Sequence, residues 1–303
     1  MIRPSIVVIG GGLMGTGIAQ VFAVAGHRVC VVEPVDAVRS TLIRRLREGV
    51  VQLNADAAAV DRLEISADLG AAVAGASYVT EAVPEKLELK RAIFAELIER
   101  APRTAILASN TSVIPIGQIA AGLDTADRVV GTHWWNPAPL IPLVEVVQAT
   151  ATSDATIAAT MALLRSVGKK PAHVKKDLPG FVANRLQHAL WREAIAMVAE
   201  GVCDARTLDE CVKNSFGLRL PVLGPLENAD LVGLDLTLDI HRTVIPALDR
   251  HDGPHELLEE YVAAGRLGFK SGEGFRAWTA EEMAGTRLRL MHHLLRAQRE
   301  RTA

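Results

Sequence analysis

The sequence predicts an α/β protein in which a doubly wound parallel sheet is followed by a second domain made only of helices. Short β-branched runs alternate with helical patterns in the first half of the chain, which is typical of a parallel sheet covered on both faces. After a turn-forming stretch at residues 176–180, only helical periodicity remains. The length of 303 residues, with 49% apolar side chains, is enough for two cores. We therefore expect one domain over residues 1–177 and another over residues 178–303.

The strands of the first domain are predicted to be short and mostly apolar, because both faces of the sheet are covered. The candidates are residues 5–9, 28–33, 77–80, 104–108, 128–132, 143–147 and 171–175. Helical patterns lie between them at residues 18–25, 36–53, 87–100 and 154–167. Gly26 is placed to end the first of these helices, and Asp36 is placed to cap the second.

The second domain is predicted to contain helices at residues 181–200, 205–215, 228–248 and 256–264. A basic tail at residues 280–301 also has a helical pattern. Its apolar stripe would consist of Leu288, Met291, Leu294 and Leu295. We interpret the tail as a surface helix that docks on its own subunit or contributes to oligomer contacts.

Composition argues against several classes of protein. The net charge is −2 and only 4% of the residues are aromatic, so neither a basic surface nor a stacking platform for nucleic acid is indicated. No apolar stretch approaches the ~20 residues that a membrane span needs. The three cysteines, Cys30, Cys203 and Cys211, are too scattered for a disulfide framework or a zinc site. We expect a cytoplasmic protein with no metal and with no nucleic-acid or membrane partner.

A glycine-rich turn joins the first predicted strand to the first helix. Gly10, Gly12 and Gly15 form the pattern G-x-G-x-x-G in the strand-to-helix context where it binds a dinucleotide. Gly10 permits the tight turn, Gly12 lets the backbone approach a pyrophosphate, and Gly15 allows the helix to pack closely on the strand. Leu13 and Met14 lie within this motif and are candidates for cofactor contacts, and the N-terminus of the helix that the motif opens faces the phosphates. The pattern predicts a Rossmann-type domain.

Glu33 ends the second predicted strand, 18 residues after Gly15. A carboxylate at this position accepts hydrogen bonds from both ribose hydroxyls of NAD and repels the additional phosphate of NADP. Arg39 follows on the next helix, and no arginine stands directly beside Glu33. The sequence therefore predicts NAD as the cofactor.

Polar residues follow the predicted strand at residues 104–108. Ser109, Asn110, Thr111 and Ser112 come directly after it. Ligands bind beyond the carboxyl ends of the strands in open α/β sheets, so these side chains are candidates for substrate or cofactor contacts. Capping of the local turn is the alternative, above all for Ser109.

His133 and Glu145 form the strongest candidate for acid–base chemistry. His133 lies at a predicted strand end, and Glu145 interrupts an apolar run 12 residues later. A carboxylate inside such a strand is costly unless it is paired or hydrogen-bonded. Three prolines between the two residues force an extended or turned connection that allows them to meet. A carboxylate on one ring nitrogen fixes the imidazole tautomer and leaves the other nitrogen free to take a proton.

The chain resembles the NAD-dependent 3-hydroxyacyl-CoA dehydrogenases over about residues 4–278. Seven motifs in the family's order carry this resemblance. They are GGGLMG at residues 10–15, EAVPE at 81–85, SNTS at 109–112, HWWNP at 133–137, PGFVANR at 179–185, GPLE at 224–227 and KSGEGF at 270–275.

The resemblance implies roles for individual residues and for the whole chain. His133 is implied as the general base and Glu145 as the acid that orients it, with Ser112 and Asn184 at the reacting oxygen. The positions implied to contact the cofactor are Glu85, Lys90, Asn110, Asn136 and Lys270. The implied reaction is oxidation of a 3-hydroxyacyl-CoA such as 3-hydroxybutyryl-CoA to the 3-oxoacyl-CoA, in fatty acid metabolism. A homodimer formed through the second domain is also implied.

The sequence departs from the family in the segment that carries the CoA-binding arm. The segment between Glu33 and Glu81 is shorter than in the acyl-CoA enzymes and contains arginines, including Arg44 and Arg45, but no lysine. Two indoles also follow the histidine. The same chemistry on a non-CoA hydroxy acid, alcohol or aldehyde, of the gulonate, carnitine or pyridine type, therefore stays open. A non-catalytic NADH-binding structural protein and a phosphogluconate-type dehydrogenase with a lysine acid–base group are further alternatives.

Overall fold

The computed structural model of the chain describes residues 4–53 and 55–302. Eight strands in this part of the chain form one sheet. They are β1 (Ile6–Ile9), β2 (Val29–Val32), β3 (Leu63–Ser66), β4 (Tyr78–Glu81), β5 (Ile106–Ser109), β6 (Val129–Trp134), β7 (Leu143–Val147) and β8 (Lys170–Val174). Their spatial order is β3-β2-β1-β4-β5-β6-β7-β8, and every neighbouring pair is parallel except β6 and β7.

Helices cover the sheet and continue beyond it. Those up to β8 are α1 (Leu13–Val24), α2 (Asp36–Gln52), α3 (Leu69–Val73), α4 (Leu87–Arg100), α5 (Ile116–Ile119) and α6 (Asp154–Ser166). Those after β8 are α7 (Ala183–Ala199), α8 (Ala205–Lys213), α9 (Pro225–Val232), α10 (Leu234–Val244), α11 (Glu256–Ala263) and α12 (Ala280–Thr302). The predicted fold class, a doubly wound sheet followed by a helical region, is confirmed. None of the described helices is both long and apolar enough to cross a membrane.

Two hydrophobic layers enclose the sheet. Alternate residues of β1 serve the two layers, because successive side chains of a strand point to opposite faces. Ile6 and Val8 pack in one layer with Phe22 of α1, and Val7 and Ile9 pack in the other with Phe94 of α4. Burial on both faces explains why the strands are apolar runs rather than alternating patterns.

The described residues divide into two compact units. The first runs to Arg185 and also includes the residues from Ala297 onward, and the second is Leu186–Arg296. The first unit continues past the predicted boundary at Asp177, and the second unit ends before the end of the predicted second domain. Residues just after Asp177 belong to the first unit because Phe181 is part of one of its hydrophobic layers. The end of the predicted tail helix also groups with the first unit.

Several elements differ from their predicted bounds for local reasons. Helix α1 begins at Leu13 rather than at residue 18, so Gly15 and Gly17 lie inside the helix. The predicted helix at residues 228–248 is divided at Gly233, whose φ is +104°. Asp36 is the first residue of α2 rather than its cap, which is Val35. Strand β3 and helix α3 were missed, because they are short and lie near an alanine-rich stretch without clear periodicity.

Candidate active site

The glycine-rich turn leaves room for a ligand at one glycine and for no side chain at two others. A Cβ on Gly10 would lie 2.7 Å from Ala82 O, and one on Gly15 would lie 1.9 Å from Gly10 O. The Cβ position of Gly12 has no heavy atom within 4 Å. Leu13 and the half-buried Met14 begin α1, whose N-terminus has no side-chain cap. Uncapped N–H groups beside open space fit the pyrophosphate of a dinucleotide.

The Glu33 carboxylate is held next to this turn. Its Oε2 accepts a hydrogen bond from Gly11 N at 2.8 Å, and its Oε1 accepts one from Val35 N at 2.8 Å. Arg39 donates to the Glu33 and Pro34 carbonyl oxygens at 2.9 and 3.0 Å. Glu33 thus lies where a ribose-binding carboxylate is expected, and Arg39 is engaged with the backbone and with Asp36.

Replacing Gly15 with alanine is expected to weaken NADH binding and to destabilise the fold. The new methyl group would overlap Gly10 O, so the turn or the helix must shift, at a cost of about 1–3 kcal/mol. Gly12→Ala is the matched control: it should lower NADH affinity, where the pyrophosphate approaches, and leave stability near that of the wild type. Calorimetric titration with NADH and urea unfolding measure both effects. Equal stability of the two variants would contradict this account of the turn.

His133 and Glu145 face each other across two neighbouring strands. Strands β6 and β7 pair antiparallel with His133 opposite Glu145, and the Nδ1–Oε2 distance is 2.8 Å. Both side chains are almost fully buried. Because an ionised carboxylate only accepts, Nδ1 is assigned the proton, and Nε2 is left to accept one. The structure therefore brings together the two residues that the sequence singled out as partners.

The second oxygen of Glu145 is held by the start of α7. Glu145 Oε1 accepts hydrogen bonds from Val182 N at 2.9 Å and from Ala183 N at 3.0 Å. Burial raises the pKa of Glu145, but the hydrogen bonds from His133, Ala183 and Val182 outweigh it and hold the pKa below the usual value. Glu145 is therefore ionised at neutral pH and suited to stabilise an imidazolium.

Two aromatic rings contact the imidazole of His133. The ring centroid of Trp135 lies 5.2 Å from that of His133, and the ring of Phe181 lies 5.6 Å away. Phe181 has a φ of +51°, which is rare for a bulky residue, and its side chain is buried. Sequence reasoning did not single out Phe181. The Pro-Gly pair just before it was the available signal for unusual backbone at this place.

The polar loop after β5 contains two of the predicted site residues, Asn110 and Ser112. Asn110 Oδ1 accepts a hydrogen bond from Trp134 N at 2.9 Å, so Asn110 supports the end of β6. Glu85 accepts hydrogen bonds from Thr111 Oγ1 and Ser112 N. Burial raises the pKa of Glu85. The hydrogen bond from Thr111, further backbone hydrogen bonds and the charge of Lys90 outweigh burial, so the pKa of Glu85 lies below its usual value.

Asn184 and Ser112, which were predicted to act at the same oxygen, are in contact. Asn184 Nδ2 donates to Ser112 O at 3.1 Å. Asn184 lies in the first turn of α7, the same helix whose start binds Glu145. The loop that carries Ser112 is therefore held by Glu85 on one side and by Asn184 on the other. Their contact with substrate stays a prediction.

Lys90 is bound by two carboxylates, and its direct contact with the cofactor stays a prediction. Its side chain has no exposed surface, and Nζ lies 2.7 Å from Glu81 Oε1 and 3.3 Å from Glu85 Oε2. Glu81 Oε2 also accepts a hydrogen bond from Ser109 Oγ at 2.6 Å. Lys90 thus fixes the positions of Glu85 and of Glu81 at the end of β4. The role of Glu81 was missed, although a charged residue at the end of a buried strand is the same signal that identified Glu33.

Asn136 and Lys270 are both exposed. Asn136 lies two residues after β6, in the first unit, and Lys270 lies in a turn of the second unit. Their contacts with the cofactor stay predictions.

The arginines of α2 make contacts within the first unit. Arg45 donates to Gly11 O at 2.8 Å and to Thr16 Oγ1 at 3.0 Å. Arg44 pairs with Glu48 at 3.2 Å. Arg45 therefore stabilises the glycine-rich turn by binding Gly11 O, and this role was not predicted from the sequence.

Comparison with known protein families gives two matches along the chain. Residues 5–178 match the model of the 3-hydroxyacyl-CoA dehydrogenase NAD binding domain. Residues 180–278 match the model of the 3-hydroxyacyl-CoA dehydrogenase C-terminal domain. Helix α12 lies beyond both matches.

Two relatives cover nearly the whole chain. A 5-formyl-3-hydroxy-2-methylpyridine 4-carboxylate 5-dehydrogenase of Mesorhizobium japonicum is 36% identical, over 93% of each chain. A probable 3-hydroxybutyryl-CoA dehydrogenase of Bacillus subtilis is 40% identical, over 89% of this chain and 96% of the relative.

Solved structures of both kinds of enzyme resemble the fold. The crystal structure of a 5-formyl-3-hydroxy-2-methylpyridine 4-carboxylic acid 5-dehydrogenase, an NAD+-dependent dismutase, has a TM-score of 0.90 and 35% identity, and the match covers 99% of this chain and 98% of that chain. The (S)-3-hydroxybutyryl-CoA dehydrogenase of Ralstonia eutropha has a TM-score of 0.74 and 34% identity, with 92% and 100% covered. The first likeness therefore includes most of α12.

Proposed function

The chain belongs to the 3-hydroxyacyl-CoA dehydrogenase family. From its likeness to the pyridine-type enzyme, we propose that its substrate is a small hydroxy or formyl compound of the pyridine-carboxylate type. The protein is an NAD-dependent oxidoreductase that acts on CH–OH groups. The observation that carries the substrate class is the structural likeness to the pyridine-type enzyme, at a TM-score of 0.90 over 99% of the chain.

Two features of the first unit support a substrate without CoA. Arg39 and Arg45 lie in the segment that carries the CoA-binding arm in the acyl-CoA enzymes, but here they bind within the first unit. Arg39 donates to the Glu33 carbonyl oxygen, and Arg45 donates to Gly11 O and to Thr16 Oγ1. The indole of Trp135 lies against His133 and presents a flat aromatic surface beside the proposed base. Flat rings pack on such a surface at centroid distances of roughly 4.5–7 Å.

The proposed mechanism assigns proton transfer to His133. Bound NAD supplies the hydride acceptor. His133 Nε2 takes the hydroxyl proton of the substrate, or of the hydrate that water forms at a formyl group, and Glu145 stabilises the resulting imidazolium through Nδ1. Ser112 and Asn184 are proposed to donate hydrogen bonds to the reacting oxygen. In the opposite direction, protonated His133 returns the proton to the oxygen that forms from the carbonyl.

Oxidation of a 3-hydroxyacyl-CoA is the second candidate function. It is supported by both family matches and by the relative from Bacillus subtilis. This reading also implies a role in fatty acid metabolism. The chemistry at His133 would be the same, and only the group that binds beyond the reacting carbon differs.

The test is a comparison of substrates with the purified protein. NADH oxidation is followed with 5-formyl-3-hydroxy-2-methylpyridine 4-carboxylate, acetoacetyl-CoA and free acetoacetate in parallel. NAD reduction is also followed with the formylpyridine. We expect turnover with the formylpyridine and little with the thioester. Turnover of the thioester alone would overturn the proposed substrate class and support the second candidate. His133→Ala serves as the control, since it should remove turnover of whichever substrate is accepted.

We also propose that the protein is a cytoplasmic homodimer. The second unit exposes large apolar side chains, with Val222, Leu226 and Leu231 each more than two-thirds exposed. Such a surface is typical of a protein–protein interface. Light scattering on the purified protein measures the assembly, and a monomer at micromolar concentration would contradict the proposal.

A further inference from the structure

Lys169 is a buried lysine that binds the loop between β6 and β7, the two strands that carry His133 and Glu145. It follows α6 and precedes β8, and its side chain is almost fully buried. Nζ donates to Ala138 O, to Ile141 O at 2.9 Å and to Pro139 O at 3.4 Å. A lysine has three ammonium N–H groups, so one side chain can serve all three carbonyl oxygens.

The three acceptors lie in the loop at residues 135–142, which joins β6 to β7. These two strands carry His133 and Glu145. Pro139, Leu140 and Pro142 of the loop line a cavity of about 1080 Å³, and Lys169 lines the same cavity. Because the cavity leaves part of the loop without packed neighbours, the polar contacts of the loop help to fix its position.

Lys169 also contacts the residue next to the proposed base. Its Nζ lies 5.4 Å from the ring centroid of Trp134, within the range of a cation–π interaction. The Trp134 ring is buried and lies 5.9 Å from that of Phe22. The Lys169 ammonium therefore interacts with the Trp134 ring, next to His133 in sequence, and with the loop between β6 and β7.

A second and weaker contact reaches the same loop from the end of the chain. Arg301, in the last turn of α12, donates from Nη2 to Leu140 O at 3.4 Å. Arg301 and the loop belong to the same compact unit. The loop is thus bound by two cations from two different parts of the chain.

We propose that Lys169 is a positioning residue for proton transfer: its ammonium fixes the β6–β7 loop and Trp134, and thereby the place of His133 opposite Glu145. The inference goes beyond the proposed function, because it holds for a pyridine-type substrate and for an acyl-CoA alike. Small displacements of a catalytic base have large kinetic effects, about 10²-fold for roughly 1 Å.

The charge of Lys169 is sensitive to pH in an accessible range. Burial and the nearby charge of Arg301 lower the pKa of Lys169 to about 8. Lys169 is therefore an ammonium at pH 7 and loses its proton as the pH rises through 8. The titratable or charged groups that line the cavity beside it are His27, Lys170 and Arg301. Loss of the ammonium weakens the hold on the loop.

Hydrogen exchange tests the proposal without requiring a substrate. The amides of Leu140 and Ile141 both donate to Pro137 O at 3.0 Å and report on the loop. Lys169→Met is expected to speed their exchange by about tenfold or more relative to the amides of β1, while Lys169→Arg retains most of the protection. In the wild type the same two amides should lose protection above about pH 8, after correction for intrinsic exchange.

The matched control is Lys170→Met, which removes the charge of an adjacent and exposed lysine. It should leave the exchange of Leu140 and Ile141 unchanged. Where turnover is measurable with either substrate of the panel, Lys169→Met should lower kcat by about 10- to 100-fold with a smaller change in KM. Unchanged exchange in Lys169→Met, or an equal effect of the two lysine variants, would overturn the proposal.

Arg301→Gln provides a test even if Lys169→Met does not fold. Removing the neighbouring positive charge raises the pKa of Lys169, so the loss of protection should move to higher pH. Because Arg301 is exposed, the variant is expected to fold. An unshifted midpoint would show that the Lys169 ammonium does not hold the loop.

Discussion

His133→Ala is expected to lower kcat by about 10²- to 10⁴-fold, the range that a positioned acid–base group contributes. The variant loses the only imidazole that the described structure pairs with Glu145, and the proton of the substrate hydroxyl has no acceptor in its place. NADH affinity should be nearly unchanged, because the glycine-rich turn and Glu33 are untouched. Steady-state kinetics with the substrate found by the panel, together with calorimetric titration of NADH, measure the two quantities.

His173→Ala is the matched control for this experiment. His173 lies on β8 in the same unit, is exposed, and contacts Gln148 Oε1 at 2.9 Å. Its removal should leave kcat unchanged. If His133→Ala turned over substrate as fast as His173→Ala, the assignment of His133 as the base would be wrong. Absence of turnover in the wild type, with NADH still bound, would favour the non-catalytic alternative.

Glu145→Gln is expected to lower kcat by up to about 10⁴-fold, the size seen when the carboxylate that orients an imidazole base becomes an amide. The amide is nearly the same size and its oxygen can still accept from Val182 and Ala183. It no longer carries the charge that stabilises an imidazolium at His133. Kinetics at several pH values separate this effect from misfolding, which circular dichroism monitors.

The same variant tests the ionisation of Glu145 through stability. Since the folded-state pKa of Glu145 is lowered, its ionised form stabilises the fold above the unfolded value, and that contribution is lost as the pH falls through the folded value. The free energy of unfolding of the wild type should therefore exceed that of Glu145→Gln most at neutral pH, and the difference should shrink below about pH 4.5. Urea unfolding at pH 7 and pH 4 measures it. A constant difference would contradict an ionised Glu145.

The fold class and the central pair could be predicted because both depend on strong local patterns. Alternation of apolar runs with helical periodicity specifies a covered parallel sheet. Glu145 stands out because a carboxylate in an apolar strand demands a partner. Glu81 offered the same signal, but the predicted strand ended at residue 80, so its ion pair with Lys90 was missed.

Other features depend on contacts that sequence patterns do not encode. Lys169 lies about thirty residues from the carbonyl oxygens it binds, and Arg45 lies 34 residues from Gly11. Nothing local to these side chains indicates such partners. The early start of α1 was missed because glycine is normally read as a helix breaker, whereas Gly15 is required in the helix by its approach to Gly10 O.

Strands β6 and β7 form a hairpin, so the proposed base and its carboxylate lie on two strands that one short loop joins. His133 and Glu145 are 12 residues apart along the chain, and closing so small a loop costs little chain entropy compared with joining β1 to β4. The hairpin can therefore form early in folding, before distant strands have met. In that case the proton-transfer machinery is assembled before the sheet that binds the nucleotide is complete.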